Sequence, residues 1–375
     1  MSSRNERINE LARLFGRLGI IAFGGPAAHI ALMRAEVVRR RGWIDDTRFL
    51  DLVGATNLIP GPNSTELAMH LGQERAGWRG LIVAGCCFIL PAVVLTAGIA
   101  WAYRRYGALP AVQPFLYGIK PAIIAIILAA VFPLAKASFK SAGHALLGGV
   151  ALLAALLGTP ELAVLFGAGL LGLAAALARR AGTVHQGIGF FLLQALPPSA
   201  ATVGSTSLFF TFLKIGALLY GSGYVLFAFL DEALVTTGML TRTQLADAIA
   251  VGQFTPGPVF SAVTFVGYQV GGWSGAAAAT AGVFLPAFLF VALLNPLVKR
   301  LRTSKPFAAF LDAVNVASVA LIAAVCIDMG RAALTDWRTF LIAIAAAIVT
   351  FGFRKINSAW VVLGGTLAGW LLAQV

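Results

Sequence analysis

Charged side chains are scarce in this sequence of 375 residues: Asp, Glu, Lys and Arg together make up 11% of it, whereas hydrophobic residues make up 59%. A folded soluble domain needs a largely polar exterior, which this composition cannot supply. The mean hydropathy of +0.86 supports the same conclusion. The composition excludes a soluble globular protein and predicts an all-α polytopic membrane protein.

Signatures of catalysis and metal binding are missing as well. The three cysteines, Cys86, Cys87 and Cys326, lie in apolar segments without ligand spacing, and we interpret them as packing residues. The patterns H-E-x-x-H, G-x-S-x-G and G-x-x-x-x-G-K-[ST] do not occur. We therefore expect no enzyme, no metal, no cofactor and no ATP motor, with a membrane-embedded enzyme as the less favoured alternative.

The chain nevertheless carries a formal net charge of +13. In a membrane protein, Lys and Arg collect in loops that stay in the cytoplasm, so we interpret this charge as a topology signal and expect no nucleic acid partner. The N-terminal stretch MSSRNERINELARLFGR lacks the apolar core of a signal peptide. We expect a multi-pass protein of the inner (plasma) membrane, in contact with lipid, with a cytoplasmic N-terminus.

Internal repetition divides the chain into two halves, predicted at 1–187 and 188–375. Shifting the sequence by 195 to 197 residues aligns sparse identities in order. They include Pro60-Gly61-Pro62 with Pro256-Gly257-Pro258, Gln73 with Gln269, Gly77-Trp78 with Gly272-Trp273, and Pro91 with Pro286.

Each half shows the same order of apolar segments. A helix interrupted by glycine is followed by one interrupted by Pro-Gly-Pro, then two long spans such as Leu81–Trp101 and Ala276–Val298, then two shorter segments. This order predicts 10 to 13 membrane segments. The run Gly275–Ala279 permits close helix contact and leaves a homodimer open.

The loop charges predict that the second half is inverted. Loop 34–48 carries five arginines, whereas its counterpart 231–247 has only Arg242 against Asp231, Glu232 and Asp247. Conversely, the loop with Arg104 and Arg105 matches one that carries more positive charge, namely Lys299, Arg300, Arg302 and Lys305, although Arg104 and Arg105 fit the simplest topology poorly. Inversion needs an odd number of crossings per half, so either a broken helix is re-entrant or Gly187–Ala201 also crosses.

The matched breaks predict a transport site. Inside a bilayer, interrupted helices survive only where they face protein or a water-filled cavity, and paired interruptions in two repeats indicate a binding site. Asn63 is predicted as an N-cap with Glu66 at the capping-box position, and Pro26 as the first residue of another helix. Helix N-termini favour anions, so we expect an anionic solute.

Several polar residues could contribute to that site. Lys120 and Lys214 lie in apolar runs, where a lysine is costly, although Lys214 could instead reach an interface. Asn315 aligns with Lys120, and Glu66 could be a cap or a proton carrier. Close packing remains an alternative role for the glycines, as does ordinary packing for Tyr220 and Tyr224.

The stretches FGGPAAHIALMRAEVVRRRGW and PGPNSTELAMHLGQERAGWRG resemble the chromate ion transporter family in its long, two-half form. The resemblance spans about Phe15–Leu134 and Phe212–Met329. It implies an inner-membrane exporter of chromate driven by the proton motive force, with Phe23-Gly24-Gly25-Pro26 and Pro60-Gly61-Pro62 as functional motifs. Where better-known members read PGPASSQ after a glutamine, this chain has Asn57 and Glu66, with a glutamine only in the second half, Gln253.

We therefore expect a small inorganic oxyanion, chromate or a sulfate-like tetrahedral ion, to bind between the two Pro-Gly-Pro breaks and to cross by alternating access. A passive anion channel and another small anion are the alternatives. The expected substrate-binding residues are Gly24, Gly25, Pro26, Asn57, Pro60, Gly61, Pro62, Asn63, Ser64, Thr65, Lys120, Lys214, Tyr220, Gly221, Ser222, Gly223, Gln253, Pro256, Gly257, Pro258, Ser261 and Asn315.

Overall fold

The computed structural model describes residues 4–23, 25–107, 113–181, 204–220, 225–301, 304–353, 356 and 358–372. All regular secondary structure in these ranges is helical, which confirms the predicted all-α class. The stretch Gly187–Ala201, considered above as an extra crossing, lies outside the described residues, as do Gly24, Gly221, Ser222, Gly223 and Tyr224.

The described residues of the first half form seven helices. They are α1 (Arg4–Ile21), α2 (Gly25–Arg34, continued by a π-helical turn, Ala35–Arg40), α3 (Asp46–Thr56), α4 (Asn63–Tyr106), α5 (Gln113–Ser138), α6 (Ala142–Leu156) and α7 (Glu161–Ala181). The predicted breaks are confirmed: one separates α1 from α2, and the Pro-Gly-Pro segment separates α3 from α4.

The second half repeats this order helix by helix. It contains α8 (Ser205–Leu218), α9 (Val225–Leu230, continued by a π-helical turn, Asp231–Val235), α10 (Arg242–Phe254), α11 (Ala262–Leu301, preceded by a 3₁₀ turn, Val259–Ser261), α12 (Lys305–Ala333), α13 (Trp337–Gly352) and α14 (Ser358–Leu372). Even the π-helical turn recurs at the matching position, so the two halves share one backbone plan.

A second break in each half is a sharp turn inside a long helix. In α4 the backbone leaves helical geometry at Ala76 and Gly77, and in α11 at Gly271 and Gly272. Gly77 and Gly272 have φ values of 66° and 62°, which only glycine adopts easily. Each helix therefore folds into a hairpin whose first arm begins at the Pro-Gly-Pro segment.

Glycines allow the two arms of each hairpin to touch. A Cβ atom on Gly72 would lie 2.2 Å from the Gly80 carbonyl oxygen, and one on Gly267 would lie 2.4 Å from that of Gly275. These equivalent contacts correct the alignment of this arm by one residue, so that Gln269 corresponds to Glu74 rather than to Gln73. The first arm in the second half is one residue shorter than its counterpart in α4. It begins with the 3₁₀ turn, which rises further per residue than an α-helix and so covers the same length.

Within the described part of the chain, five helices are long and apolar enough to cross a membrane: Asn63–Tyr106, Leu116–Ser138, Glu161–Ala178, Val259–Leu293 and Pro306–Arg331. Four shorter apolar helices accompany them, namely α6, α8, α13 and α14. Large apolar side chains are exposed on their outer faces, for example Leu146 at 71% and Trp360 at 69%. Such surfaces are stable against lipid rather than water, and the chain is a multi-pass membrane protein.

The two halves pack by exchanging partners. Helix α5 of the first half contacts α13 and α14 of the second, and α12 contacts α6 and α7 in the same way. Reciprocal contacts of this kind describe a two-fold relation between the halves. Glycines sit at both contacts: Gly118 against Gly365 and Gly369, and Gly172 against Ala309 and Ala313.

Those contacts also give the relative orientation of the halves. Gly118 meets Gly369 while Ala122 meets Gly365, so α5 and α14 run antiparallel. Gly257 lies against Ala92, and the Gln269 side chain donates to the Ala100 carbonyl, so the first arm of α11 runs parallel to the second arm of α4. The second arm of α11 folds back on its first arm and therefore runs opposite to its counterpart in α4, which makes the second half an inverted copy of the first.

Candidate functional site

The two Pro-Gly-Pro segments each insert into the break of the opposite half. The Gly61 N–H donates to the carbonyl of Leu219, the residue after α8, at 2.9 Å, and the Gly257 N–H donates to the carbonyl of Ala22, the residue after α1, at 2.8 Å. Gly61 and Gly257 are equivalent, and so are Leu219 and Ala22. Two equivalent hydrogen bonds therefore join each Pro-Gly-Pro segment to the glycine break of the other half.

Tight packing accompanies these bonds. A Cβ atom on Gly257 would lie 2.9 Å from the Ala92 Cβ atom, and one on Gly61 would lie 3.6 Å from that of Ala287, the equivalent alanine. Gly61 and Gly257 also have positive φ values, 138° and 91°. The prediction that the Pro-Gly-Pro segments break their helices is confirmed, and the structure adds that the breaks meet.

The predicted cap of α4 is wrong. The helix begins at Asn63, and Pro62 occupies the N-cap position without a side-chain hydrogen bond. A capping box needs a backbone N–H at the N-cap, which proline lacks, so the Glu66 side chain has no such acceptor role. The Asn63 side chain instead donates to the Asn57 side-chain oxygen at 2.8 Å. Pro26 lies in the first turn of α2, next to Gly25.

The start of α4 encloses three polar side chains. Thr65 and Glu66 are fully buried, His70 is 1% exposed, and their side-chain polar atoms have no hydrogen-bond partner among the described residues. The Glu66 carboxyl lies in the bend of the Pro-Gly-Pro segment, because a Cβ atom on Gly61 would lie 2.2 Å from its Oε1 atom. Unpaired buried polar groups are costly, so these three indicate a site for a ligand, a proton or water.

A buried histidine links this arm to the neighbouring break. The His29 Nε2 atom lies 3.1 Å from the Ala22 carbonyl oxygen, and its Nδ1 atom lies 3.2 Å from the Ser64 Oγ atom. Since a carbonyl only accepts, Nε2 carries the proton and Nδ1 accepts from Ser64. The Ala22 carbonyl therefore receives both His29 and Gly257.

Around the second Pro-Gly-Pro segment, the buried polar side chains are uncharged. Ser261, fully buried, lies 3.4 Å from the Thr96 hydroxyl, and Ser318 donates to the Tyr220 carbonyl at 3.1 Å. Gln253 is 5% exposed in the helix that leads to the second Pro-Gly-Pro segment. Pro60, Pro62, Pro256 and Pro258 are buried around the same crossing.

The remaining predicted residues are placed differently. Lys214 and Asn57 are exposed, whereas Lys120 and Asn315 are partly buried on the equivalent helices α5 and α12. Lys120 lies within electrostatic range of the Asp247 carboxylate, which offsets part of its charge. The structure thus separates the two lysines that the sequence had treated alike.

A cavity of about 290 Å³ lies beside the second break, between α4, α5, α10 and α14. Its lining is apolar except for Tyr103, Asp247 and Thr366. The Tyr103 hydroxyl donates to the Asp247 Oδ2 atom at 2.6 Å, while the Oδ1 atom has no partner among the described residues. Sequence analysis missed this pair, since its members are 144 residues apart and neither belongs to a motif.

Inverted halves with helix breaks meeting inside the bundle define a class: multi-pass membrane transporters built from inverted repeats. The sequence profile of the chromate transporter family matches residues 9–173 and again residues 206–370. The chain belongs to the chromate transporter family.

Similar proteins cover nearly the whole chain. It is 32% identical over 377 residues to a chromate transport protein of Cupriavidus metallidurans, covering 96% of this chain and 92% of that one. It is 31% identical to a chromate transport protein of Pseudomonas aeruginosa, covering 97% and 92%, and 29% identical to a probable chromate transport protein of Synechococcus elongatus, covering 96% and 95%. No solved structure matches the chain.

Proposed function

We propose that this protein exports chromate or a related tetrahedral oxyanion across the inner membrane by alternating access, with its N-terminus in the cytoplasm. The observation that carries the proposal is the crossing of the two Pro-Gly-Pro segments, with Gly61 bonded to Leu219 and Gly257 bonded to Ala22. Printed names of the similar proteins support chromate as the first substrate to test.

The chemistry of the crossing favours an anion at this point. The Thr65 and Glu66 N–H groups donate to the Pro62 carbonyl, which leaves those of Asn63 and Ser64 as the donors at the start of α4. The helix dipole adds partial positive charge there. Ser64 and Thr65, both buried in that first turn, add hydroxyl groups. Lys120 adds a positive charge from α5, and the exposed Lys214 is not required.

The hydrogen bonds at the crossing also suit a conformational change. Among the described residues, one backbone hydrogen bond joins each Pro-Gly-Pro glycine to the opposite break, two in all. Rocking of one half against the other could exchange these bonds for water at either side, while the reciprocal contacts of α5 and α12 hold the halves together.

Membrane potential alone is sufficient to drive the export. One charge crossing 100 mV gains about 2.3 kcal/mol, so a dianion leaving an interior-negative cell gains about 4.6 kcal/mol. This corresponds to a gradient of roughly two-thousandfold. We propose the proton motive force, through its electrical part, as the energy source.

Uptake of labelled chromate into inverted membrane vesicles tests the proposal. Wild-type vesicles should show saturable uptake that sulfate or molybdate reduces by competition. Flux that rises linearly with concentration would indicate a channel, and an absence of oxyanion flux would overturn the proposal.

Two variants test the site. Lys120→Ala should raise the half-saturating chromate concentration about tenfold, the loss of one charge-assisted contact worth about 1.4 kcal/mol. Lys136→Ala, which removes an exposed lysine from the same helix, is the matched control. Gly25→Leu should abolish uptake, because Gly25 is buried at the first break with a φ of 76°. Unchanged uptake by Lys120→Ala and Gly25→Leu would show that the site lies elsewhere.

A further inference from the structure

The first arm of the α4 hairpin carries three ionisable side chains on one face. Glu66, His70 and Glu74 follow one another at intervals of four residues, which places them about 6 Å apart along a helix. Glu66 and His70 are buried, whereas Glu74 is exposed. The column runs from the Pro-Gly-Pro crossing to the turn at Gly77.

The two inner members of the column have no partners among the described residues. Both carboxyl oxygens of Glu66 and both ring nitrogens of His70 are enclosed and unbonded. The outer end is different: Glu74 pairs with Arg48 on α3. The column therefore leads from a group that meets the surface to a carboxyl at the centre of the molecule.

Ionisable groups from other helices surround the column without neutralising Glu66. The hydroxyl-bearing Tyr220 lies within electrostatic range of it. On α2, His29 is bonded to Ser64 and the Ala22 carbonyl. Beyond His70, Arg75 pairs with Glu10 of α1, and Arg7 of α1 contacts the Arg75 carbonyl. On the α11 side of Gly61 the neighbour is Ala287, which is apolar.

The second half has no equivalent. In the register set by the glycine contacts, the counterparts of Glu66, His70 and Glu74 are Ser261, Phe265 and Gln269. The aligned arm keeps its hairpin and its burial without any ionisable group at these positions. The hairpin therefore does not need Glu66 or His70 for its fold, and their presence calls for another role.

We propose that Glu66 is a proton-binding site that must be protonated before the dianion can bind, with His70 and Glu74 as its route to one side of the membrane. The inference rests on the proposed oxyanion transport. An ionised carboxylate in the bend of the Pro-Gly-Pro segment would repel a dianion placed at the same crossing. A protonated carboxyl removes that repulsion and can donate a hydrogen bond.

Because proton and anion favour each other's binding, they cross in the same direction. The transported unit then carries one net negative charge instead of two. At 100 mV, such a pair supports a gradient of about fiftyfold, compared with about two-thousandfold for the dianion alone. With no membrane potential, one pH unit across the membrane should support about tenfold accumulation of the anion on the alkaline side.

The experiment uses the full chain in proteoliposomes that contain a fluorescent pH indicator, with the membrane potential held at zero by potassium and valinomycin. Chromate exchange at equal pH is measured first, and then accumulation under a gradient of about one pH unit in the alkaline range, where chromate is a dianion. Wild-type protein should exchange chromate, accumulate it about tenfold in an alkaline lumen, and acidify the lumen as chromate enters.

Glu66→Gln provides the decisive comparison, since glutamine resembles a protonated carboxyl. This variant should exchange chromate at equal pH but show neither accumulation nor a change in lumenal pH. Asp46→Asn, which removes an exposed carboxylate paired with Arg34 in the same half, is the control and should behave as wild type. His70→Gln should slow the pH response more than it slows chromate exchange.

The outcomes separate this inference from the proposed function. Without wild-type exchange of any oxyanion, the proposed function fails. If the wild type exchanges chromate but the pH gradient has no effect, or if the lumen becomes alkaline as chromate enters, the proton site alone is overturned. Both of these results are measured on the wild type and so do not require a variant to fold. Accumulation retained by Glu66→Gln, or exchange lost in it while its thermal unfolding is unchanged, also overturns the proton site.

Discussion

The first arms of α4 and α11 show how far two copies of one backbone can diverge. Both begin after a Pro-Gly-Pro segment, both end at a turn with a glycine of positive φ, and both pack against a second arm through paired glycines. The arm in α4 encloses Glu66 and His70, whereas the arm in α11 encloses Ser261 and Phe265. Steric requirements have kept the halves alike, and the chemistry inside them differs.

The glycines explain why the backbone stayed the same. In each hairpin, a Cβ atom on Gly72 or Gly267 would lie within 2.4 Å of a carbonyl oxygen on the other arm, closer than any side chain permits. The polar residues face an enclosed space, where one side chain can replace another of similar size without moving the backbone. Three sets of variants test whether the two halves are held together in the same way.

The largest effects are expected at the contacts between halves. Gly365→Leu and Gly172→Leu should each lower the free energy of unfolding by at least about 3 kcal/mol, because even a Cβ atom would lie within 3 Å of a neighbouring helix. Thermal unfolding and the yield of monodisperse protein in detergent measure the loss. A loss in both variants would confirm that each half packs closely against the other through these helices.

Neighbouring glycines supply the controls. Gly364 and Gly167 lie on the same helices, with nothing within 4 Å of an added Cβ atom. Gly364→Leu and Gly167→Leu should therefore unfold like the wild type. If Gly365→Leu is as stable as Gly364→Leu, the packing of α5 against α14 is not as described.

Intermediate effects are expected at the Pro-Gly-Pro glycines, and they should differ between halves. Both Gly61→Ala and Gly257→Ala force a side chain into a positive φ. At Gly257 the new atom meets the fixed Ala92 Cβ, whereas at Gly61 it first meets the movable end of Glu66. We expect Gly257→Ala to cost about 3 kcal/mol and Gly61→Ala about 1 to 2 kcal/mol in thermal unfolding.

The order of these two costs is the informative part. A greater loss for Gly61→Ala would mean that the Glu66 carboxyl is held rigidly. Combining Gly61→Ala with Glu66→Ala, which removes the obstructing carboxyl, should recover part of the loss and provides the control.

The smallest effects are expected at two equivalent surface contacts. The Tyr117 hydroxyl donates to Asp336 Oδ1 at 2.6 Å, and Lys140 contacts Asp312 Oδ1 at 2.8 Å. These pairs link α5 and α12 to the opposite half at matching positions. Tyr117→Phe should lower the unfolding temperature slightly, and Lys140→Ala should lower it less, because exposed ion pairs contribute little.

The pH dependence of Tyr117→Phe follows from Asp336. The Tyr117 hydroxyl, helped by backbone N–H groups, holds the pKa of the Asp336 carboxyl below its usual range. A carboxyl with a lowered pKa stabilises the fold at neutral pH, and this contribution disappears as the pH falls through that pKa. The difference between wild type and Tyr117→Phe should therefore shrink in acid. A difference that grows in acid would contradict this account.

Much of the plan followed from local patterns. The structure confirms the Pro-Gly-Pro breaks, the glycine breaks and the duplication. All three depend on proline and glycine, whose allowed backbone conformations do not depend on the rest of the fold. The turns at Gly77 and Gly272 were missed, although the matched Gly-Trp pairs marked their positions. Asn63 was wrongly predicted as the cap of α4, because Pro62 already takes that place.

The membrane class, the two halves and the places where helices must stop follow from local sequence, because hydrophobicity and the conformational limits of proline and glycine act over a few residues. The tertiary structure brings each Pro-Gly-Pro segment to the break of the other half, and it leaves Lys120 partly buried but Lys214 exposed. It also decided that Glu66 and His70 are enclosed without partners among the described residues. Burial and pairing depend on groups that lie far apart in the chain, and a local pattern contains no information about them.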